Sequence, residues 1–299
     1  MILLFEGNPK LVTTYALDSI KEGEINTFSK KTLALGSPGI VAARVLRQYD
    51  EKVALIAPLG GAVGEKIKAM CKMEDLGLVD VSLKDDSLEE LQLGLENSLI
   101  VQSALPRITQ EEANRLFSTL AGYQEEIKTL LLLESNDFIQ EKYPYFIKRA
   151  KDLKHPVFLH VQGALDTFIQ DGIHSLVCSK EQIENASGLQ CNFTHEVVKA
   201  AESLFMKGVK NVYVQGQGKT SIYLKEESFW TIQSSQEIKD LSLVATGLCA
   251  AYAKNYSTEM TLKFARALGE LDKRAIEEGD YAQLKQRMNQ IELKEGRID

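Results

Sequence analysis

The feature that most constrains this chain is a rhythm. Short apolar runs of strand character alternate with longer segments of helical periodicity. "KVALIAPLG" leads to "GEKIKAMCKMEDLG", "TLLLLES" to "DFIQEKYPYFIKRAKDL", "PVFLHV" to "ALDTFIQDG", "HSLVCS" to "KEQIENAS", and "AAESLFMKG" precedes "NVYVQG". Strands joined through helices pair in parallel by right-handed crossovers, so the pattern predicts an α/β fold: a mostly parallel central sheet with helices on both faces. Ligands of such sheets collect at the carboxyl ends of the strands.

Two regions depart from the rhythm. Residues 11–35 ("LVTTYALDSIKEGEINTFSKKTLAL") and 88–102 ("LEELQLGLENSLIVQ") alternate apolar and polar side chains, as strands with one solvated face do. They are expected to meet as a small second sheet against the main one, serving as a lid or a dimer contact. No repeat, low-complexity stretch or interdomain linker interrupts the 299 residues, so 1–299 reads as a single domain. The tail is expected to form a last helix, a short strand and a charged end.

A hydrophobic content of 44% suffices for a packed core, and a net charge of −7 argues against a nucleic-acid partner. The N-terminal "MILLFEGNPK" is too short an apolar run for a signal peptide, and no stretch approaches membrane-spanning length, so a soluble cytoplasmic protein without membrane contact is expected. Cys71, Cys178, Cys191 and Cys249 are scattered without a C-x-x-C pair, and His155, His160, His174 and His195 lack metal-binding spacings. No metal ligand set is predicted, and the histidines are expected to be structural.

The order of motifs resembles the PfkB branch of the ribokinase superfamily, within it 1-phosphofructokinase and tagatose-6-phosphate kinase, over nearly the whole chain. "EGNPKL" is similar to the family's "LNPSxD", "KEGEINTFSKKTLALGSPGIVAARVLRQ" to its "GxxNR…GGKGINVARVL", and "IAPLGGAVGEKI" to the Gly-Gly turn after its second main strand. "LPRITQEE" echoes "GPEITEEE", and "MKGVKNVYVQGQGKTSIYL" echoes "GVxxVxVSLGxxG". "LSLVATGLCAAYAKN", followed by "STEMTLKFARALG", falls where the family has "GAGDxFxAGF" and the next helix. The resemblance implies a ribokinase-like fold with a β-sheet lid. It also implies transfer of a phosphoryl group from ATP, with Mg2+, to a hydroxyl of a phosphosugar.

The positions that carry that chemistry are replaced. The family's proton acceptor, the Asp of "GAGD", is Thr246, and the amides around its transferring phosphate correspond to Leu243, Val244, Ala245 and Gly247. A hydroxyl cannot hold a proton in exchange at neutral pH, and residues with a Cβ crowd a backbone cradle. Thr246 is instead expected to cap a helix beginning there. Asp240, six residues earlier, is expected to fall short of that position. On the substrate side, "GGKGIN" becomes Gly36-Ser37-Pro38-Gly39-Ile40-Val41, so Pro38 and Val41 stand for its Lys and Asn. Asn8 begins the first substrate motif and Val12 replaces its acid. Glu90 stands at the lid arginine, where it would repel a substrate phosphate. On the nucleotide side, Ser179 and Gln182 fall on the Asn and Glu of "KPNxxE", and Gln215, Gly216 and Gly218 on "SLGxxG". Gly60, Gly61 and Gly64 are retained and fit either a cleft turn or packing.

Three readings follow. The first is a catalytically impaired PfkB homologue that binds a sugar phosphate, nucleotide or other small ligand, or acts as a regulator. The second is an active ATP-dependent kinase of a ketohexose phosphate that recruits Glu181, Asp240 or a lid cation. The third is an interaction protein. A homodimer through the lid sheet is compatible with all three.

Overall fold

The computed structural model describes residues 1–49, 51–94, 99–123, 127–133, 140–272, 276, 279 and 281–298. In chain order the elements are β1 (Ile2–Phe5), β2 (Lys10–Ala16), β3 (Lys30–Leu35), α1 (Pro38–Gln48), β4 (Val53–Gly60), α2 (Gly61–Met73), β5 (Leu78–Leu83), β6 (Leu88–Leu93) and β7 (Leu99–Gln102). There follow α3 (Gln110–Tyr123), β8 (Thr129–Leu132), α4 (Tyr143–Asp152), β9 (Val157–Leu159), β10 (Ile173–Ser179), α5 (Lys180–Ser187), α6 (Thr194–Phe205) and β11 (Asn211–Gln215). The chain closes with β12 (Thr220–Lys225), β13 (Ser228–Gln233), α7 (Leu241–Ala253), α8 (Thr258–Glu270), α9 (Tyr281–Asn289) and β14 (Glu292–Arg297).

Ten strands form the central sheet in the order β14-β13-β12-β11-β10-β9-β8-β1-β4-β5. From β5 to β11 every pairing is parallel, while β12, β13 and β14 add on in antiparallel register. The period of two explains why the core has two halves. In β1, Ile2 and Leu4 enter one apolar cluster, and Leu3 and Phe5 enter the other. The first cluster also takes α1, α2, α7, α8 and α9, and the second takes α3 to α6. This is the doubly covered parallel sheet that the rhythm predicts.

The expected second sheet is present as β3-β2-β6-β7, with β2 and β6 parallel and both flanking pairs antiparallel. Residues 17–29 of the first alternating segment carry no strand. The tail forms α9 and then β14, as its pattern indicates. One expected helix is missing. "ALDTFIQDG" is a run of turns between Gly163 (φ 85°) and Gly172 (φ 116°), each in the left-handed region where glycine ends regular structure.

Candidate functional site

A cleft of about 690 Å³ opens at the carboxyl ends of β9, β10 and β11, where the N-terminus of α7 meets the sheet. His160 and Gly163 follow β9, Ser179 ends β10, Gln215 ends β11, and Lys239, Asp240 and Ser242 enter α7; Pro38, at the start of α1, closes one side. Of the residues expected on the substrate and nucleotide sides, Pro38, Ser179, Gln182 and Gln215 are thereby brought together. Asn8, Gly36, Gly39, Val41, Glu90, Gly216 and Gly218 do not line this cleft, and neither does Val12.

The N-terminus of α7 departs most from expectation. The helix starts at Leu241 with Asp240 as its N-cap, so Leu243, Val244, Ala245, Thr246 and Gly247 are helix interior and buried. The expected turn at 243–245 is absent, because Asp240 places a strong cap three residues earlier and the apolar run after it continues the helix. Thr246 is not the cap either. Its Oγ1 donates to the Ser242 carbonyl at 2.7 Å, the i−4 bond of a mid-helix threonine. Gly247 serves helix packing, since a Cβ there would lie 2.6 Å from Ala265 Cα of α8.

A helix N-terminus is an anion site, through its unpaired amides and its dipole. Here a carboxylate of the chain itself takes that place. Asp240 Oδ1 accepts from the Ser242 amide at 2.7 Å and from Ser242 Oγ at 2.6 Å. The same arrangement recurs at α1. Glu6, buried at the end of β1, accepts from the Gly39 amide at 2.6 Å through Oε2 and from the Asn8 amide at 2.7 Å through Oε1. Gly39 is required for this contact, because a Cβ would lie 2.7 Å from Glu6 Cβ. Gly36 is pressed onto Val12, whose Cγ2 would stand 2.4 Å from an added Cβ, so an apolar contact fills the place of an acid.

The nucleotide-side residues are likewise committed. Ser179 caps α5, accepting from the Gln182 amide at 3.2 Å, while Gln182 Oε1 accepts from the Ser179 amide at 3.0 Å. This reciprocal S-x-x-Q capping box satisfies two helix-end donors. Gln182 Nε2 also donates to the carbonyls of Val161 and Gly163, tying the loop after β9 to α5. Gly216 and Gly218 shape the short turn between β11 and β12, where the Gly216 amide donates to the Thr220 carbonyl and Gly218 takes φ 59°. Gly60, Gly61 and Gly64 are explained by packing: Cβ atoms there would approach the Asp85 carbonyl at 2.0 Å, the Asp86 carboxylate at 1.5 Å and the Leu59 backbone at 3.1 Å. Glu90 is neutralised rather than repulsive, because Lys10 Nζ donates to its Oε2 at 2.6 Å and Gln92 Nε2 to its Oε1 at 2.8 Å.

His160, buried and bonded to the backbone as a structural histidine is, also lines the cleft. Its Nδ1 lies 3.0 Å from the Val177 carbonyl, which can only accept, so Nδ1 carries the hydrogen and Nε2 the lone pair. Burial holds its pKa below the usual imidazole value, against the opposing pull of the Val177 carbonyl and Asp240, so the ring is neutral at pH 7. The charged residues of the lining are Lys239, Asp240 and Glu181, a balance of one negative charge. Nothing local in the sequence singles out Glu6. The cap at Asp240 is legible, because an Asp before an apolar helical run is a readable start signal.

The phosphates of ATP fit this donor set poorly, because both helix ends hold internal carboxylates and Ser179 and Gln182 are engaged with each other. The lining presents hydroxyl, amide and imidazole groups beside Lys239, Asp240 and Glu181, a set suited to hydrogen bonding a polar ligand. Among the described residues, no helix is long and apolar enough to cross a membrane.

No family model matches the chain. Its structure is similar to phosphofructokinase-2 from Escherichia coli in its tetrameric inhibited form, with TM-score 0.77, 18% identity, and coverage of 96% of this chain and 98% of that one. A structure of the same enzyme in complex with fructose-6-phosphate gives TM-score 0.75 at 18% identity, covering 95% and 99%. A candidate phosphofructokinase from Staphylococcus aureus gives TM-score 0.82 at 16% identity, with both chains covered in full. The fold is therefore the ribokinase-like fold of these sugar kinases, as the motif order implies.

Proposed function

We propose that this chain is a PfkB-type sugar kinase homologue that has lost phosphoryl transfer and keeps the cleft as a binding site. Its ligand would be a small polar molecule without phosphate, a free sugar or a nucleoside. The observation that carries the reading is the pair of internal carboxylates, Glu6 on α1 and Asp240 on α7, seated where anionic groups of a substrate would be received. A phosphate entering either place meets a like charge, and its donors are already bound. In this reading Gln215 and His160 Nε2 hold the ligand by neutral hydrogen bonds. The protein then acts as a sensor or regulator.

The test is an assay of ADP release with Mg-ATP and fructose 6-phosphate, fructose 1-phosphate or tagatose 6-phosphate, run beside a thermal-shift panel. No turnover above the protein-free control is expected, and no shift with ATP or ADP. A bound free sugar or nucleoside at 100 times its dissociation constant would add about 2.7 kcal/mol of stability. Robust turnover would overturn the proposal.

One observation favours a second reading: Asp240 and Glu181 both line the cleft, so an active kinase could use Asp240 as its base. Asp240→Asn separates the two. Asparagine caps a helix as well as aspartate does, so α7 should persist. If the carboxylate excludes anions, binding of inorganic phosphate should tighten about tenfold or more, because a charge-assisted contact replaces a repulsion. If Asp240 is a base, the variant should instead lose activity by a factor on the order of 10² to 10⁴.

We further propose that residues 1–299 act as one unit, with approximately 11–35 and 88–102 as its lid and the lid sheet as a homodimer surface. Leu33 of β3 and Leu99, Ile100 and Val101 of β7 are exposed on that sheet, an apolar surface that association would cover. Light scattering at micromolar concentration should give twice the monomer mass. A monomer would refute the dimer.

A further inference from the structure

A second cavity, of about 370 Å³, lies at the opposite end of α7, against the amino edge of the parallel strands. Phe158 of β9, His174 and Ser175 of β10, Asn211 at the start of β11 and Tyr223 and Lys225 of β12 form its floor. The C-terminal turn of α7 and the residues after it form the rim, through Tyr252, Asn255, Tyr256, Thr258 and Thr261. Thirteen residues of helix, about 20 Å at 1.5 Å each, separate it from the cleft described above.

Three features make it a built site. Its aromatic wall is continuous: His174 stands 4.7 Å from Tyr252 and 5.1 Å from Phe158, centroid to centroid, and Phe158 lies 5.6 Å from Tyr252. Tyr252 and Tyr256 are both exposed, so ring surface remains open at the mouth. The floor is aimed by a backbone irregularity. The β9–β10 register steps from Val157↔Ile173 to Phe158↔Ser175, which leaves His174 as the extra residue of a bulge. Bulges re-aim side chains and cluster beside functional sites. Asn211 Nδ2 fixes this one by donating to the His174 carbonyl at 2.6 Å.

The third feature is charge. Among the described residues, Lys225 is the one charged group in the lining, and no carboxylate joins it. Lys210 lies near enough that it and Lys225, after burial, hold the His174 pKa down to about 4, so His174 presents a neutral ring. Burial, and secondarily Glu226 in the turn beyond Lys225, push Tyr223 above its ordinary value. In a chain of net charge −7, this recess combines a lysine with edge-to-face and tilted rings and lining hydroxyls and amides.

We propose that this amino-edge cavity binds a small planar anion, an aromatic carboxylate whose ring lies on the Tyr252 and His174 surfaces and whose carboxylate meets Lys225. Aromatic stacking supplies shape selection and the lysine supplies the charge selection. The site is independent of what the carboxyl-edge cleft binds.

Calorimetric titration of the full chain at pH 7.5 with benzoate tests this. Saturable one-to-one binding is expected. The neutral isostere benzamide and the non-planar cyclohexanecarboxylate should each bind about tenfold more weakly or worse. Tyr252→Leu changes an exposed side chain and Lys225→Gln keeps a polar one, so both variants should fold, as far-ultraviolet circular dichroism would verify. Each should weaken benzoate by about tenfold, while Asp240→Asn should leave it unchanged. Failure of benzoate to saturate, equal binding of benzamide, or insensitivity to both substitutions would overturn the proposal.

Discussion

Thr246→Asp, the substitution that restores the sugar-kinase acid to its aligned place, is expected to yield an inactive protein destabilised by about 3–5 kcal/mol, the range for an uncompensated buried charge. Thr246 is fully buried inside α7, and its hydroxyl donates to the Ser242 carbonyl. A carboxylate can only accept, so aspartate would set oxygen against oxygen where a 2.7 Å hydrogen bond stood. A fall in Tm on the order of 10 °C should follow, with no ADP released from Mg-ATP in the presence of a ketohexose phosphate. Thr246→Val is the control. It keeps the shape and loses one hydrogen bond, so its cost should be about 1 kcal/mol. A stable Thr246→Asp protein that turns over ATP would mean that α7 can unwind to Ala245 and rebuild an anion-binding turn.

The difference between what the sequence disclosed and what it concealed follows from how far apart the interacting residues lie. Periodicity is local, so "KVALIAPLG" announces β4 and the alternation in 11–35 and 88–102 announces the small sheet without reference to anything distant. Departures from a motif are legible too, because Thr246, Pro38 and Val41 need only be set against one. Which distant side chains sit beside those positions is not. Glu6 reaches the Gly39 amide across 33 residues, and nothing in "LLFEGN" marks that glutamate as the occupant of another helix's N-terminus. Local signals at two helix starts point elsewhere than the motif comparison does. Ser179-Lys180-Glu181-Gln182 spells a capping box, and Asp240 before "LSLVATG" spells an N-cap, whereas the motif comparison puts Ser179 and Gln182 on the nucleotide side and offers Asp240 as a base. Glu90 was assigned repulsion because its partner Lys10 lies 80 residues away on the neighbouring strand.

The most misleading local pattern is "FARALGE", where Arg266 and Glu270 stand four apart like an ordinary exposed helix pair. Both are buried, and the structure uses all three nitrogens of Arg266. Nε donates to Glu270 Oε1 at 2.7 Å and Nη1 to Ser221 Oγ at 2.6 Å; Nη2 donates to the carbonyls of Gln236 and Lys219 at 2.7 and 3.1 Å. One guanidinium thus fastens α8 to β12, to the turn after β11 that adjoins Gln215 in the cleft, and to the approach to α7. Arg266→Ala should cost about 5 kcal/mol, because it leaves a large void and strands Glu270, whose next ion-pair partner among the described residues is Arg287 Nη1 at 3.9 Å. Arg266→Lys should recover little, since one ammonium cannot reach four acceptors in a fixed plane. The double variant Arg266→Met with Glu270→Gln should be appreciably more stable than Arg266→Ala, since the stranded charge is gone and volume is restored. Chemical denaturation of the three variants measures the order. If Arg266→Ala unfolded at the wild-type midpoint, the network would carry no stability, and the turn beside the cleft would be held by the β11–β12 pairing alone.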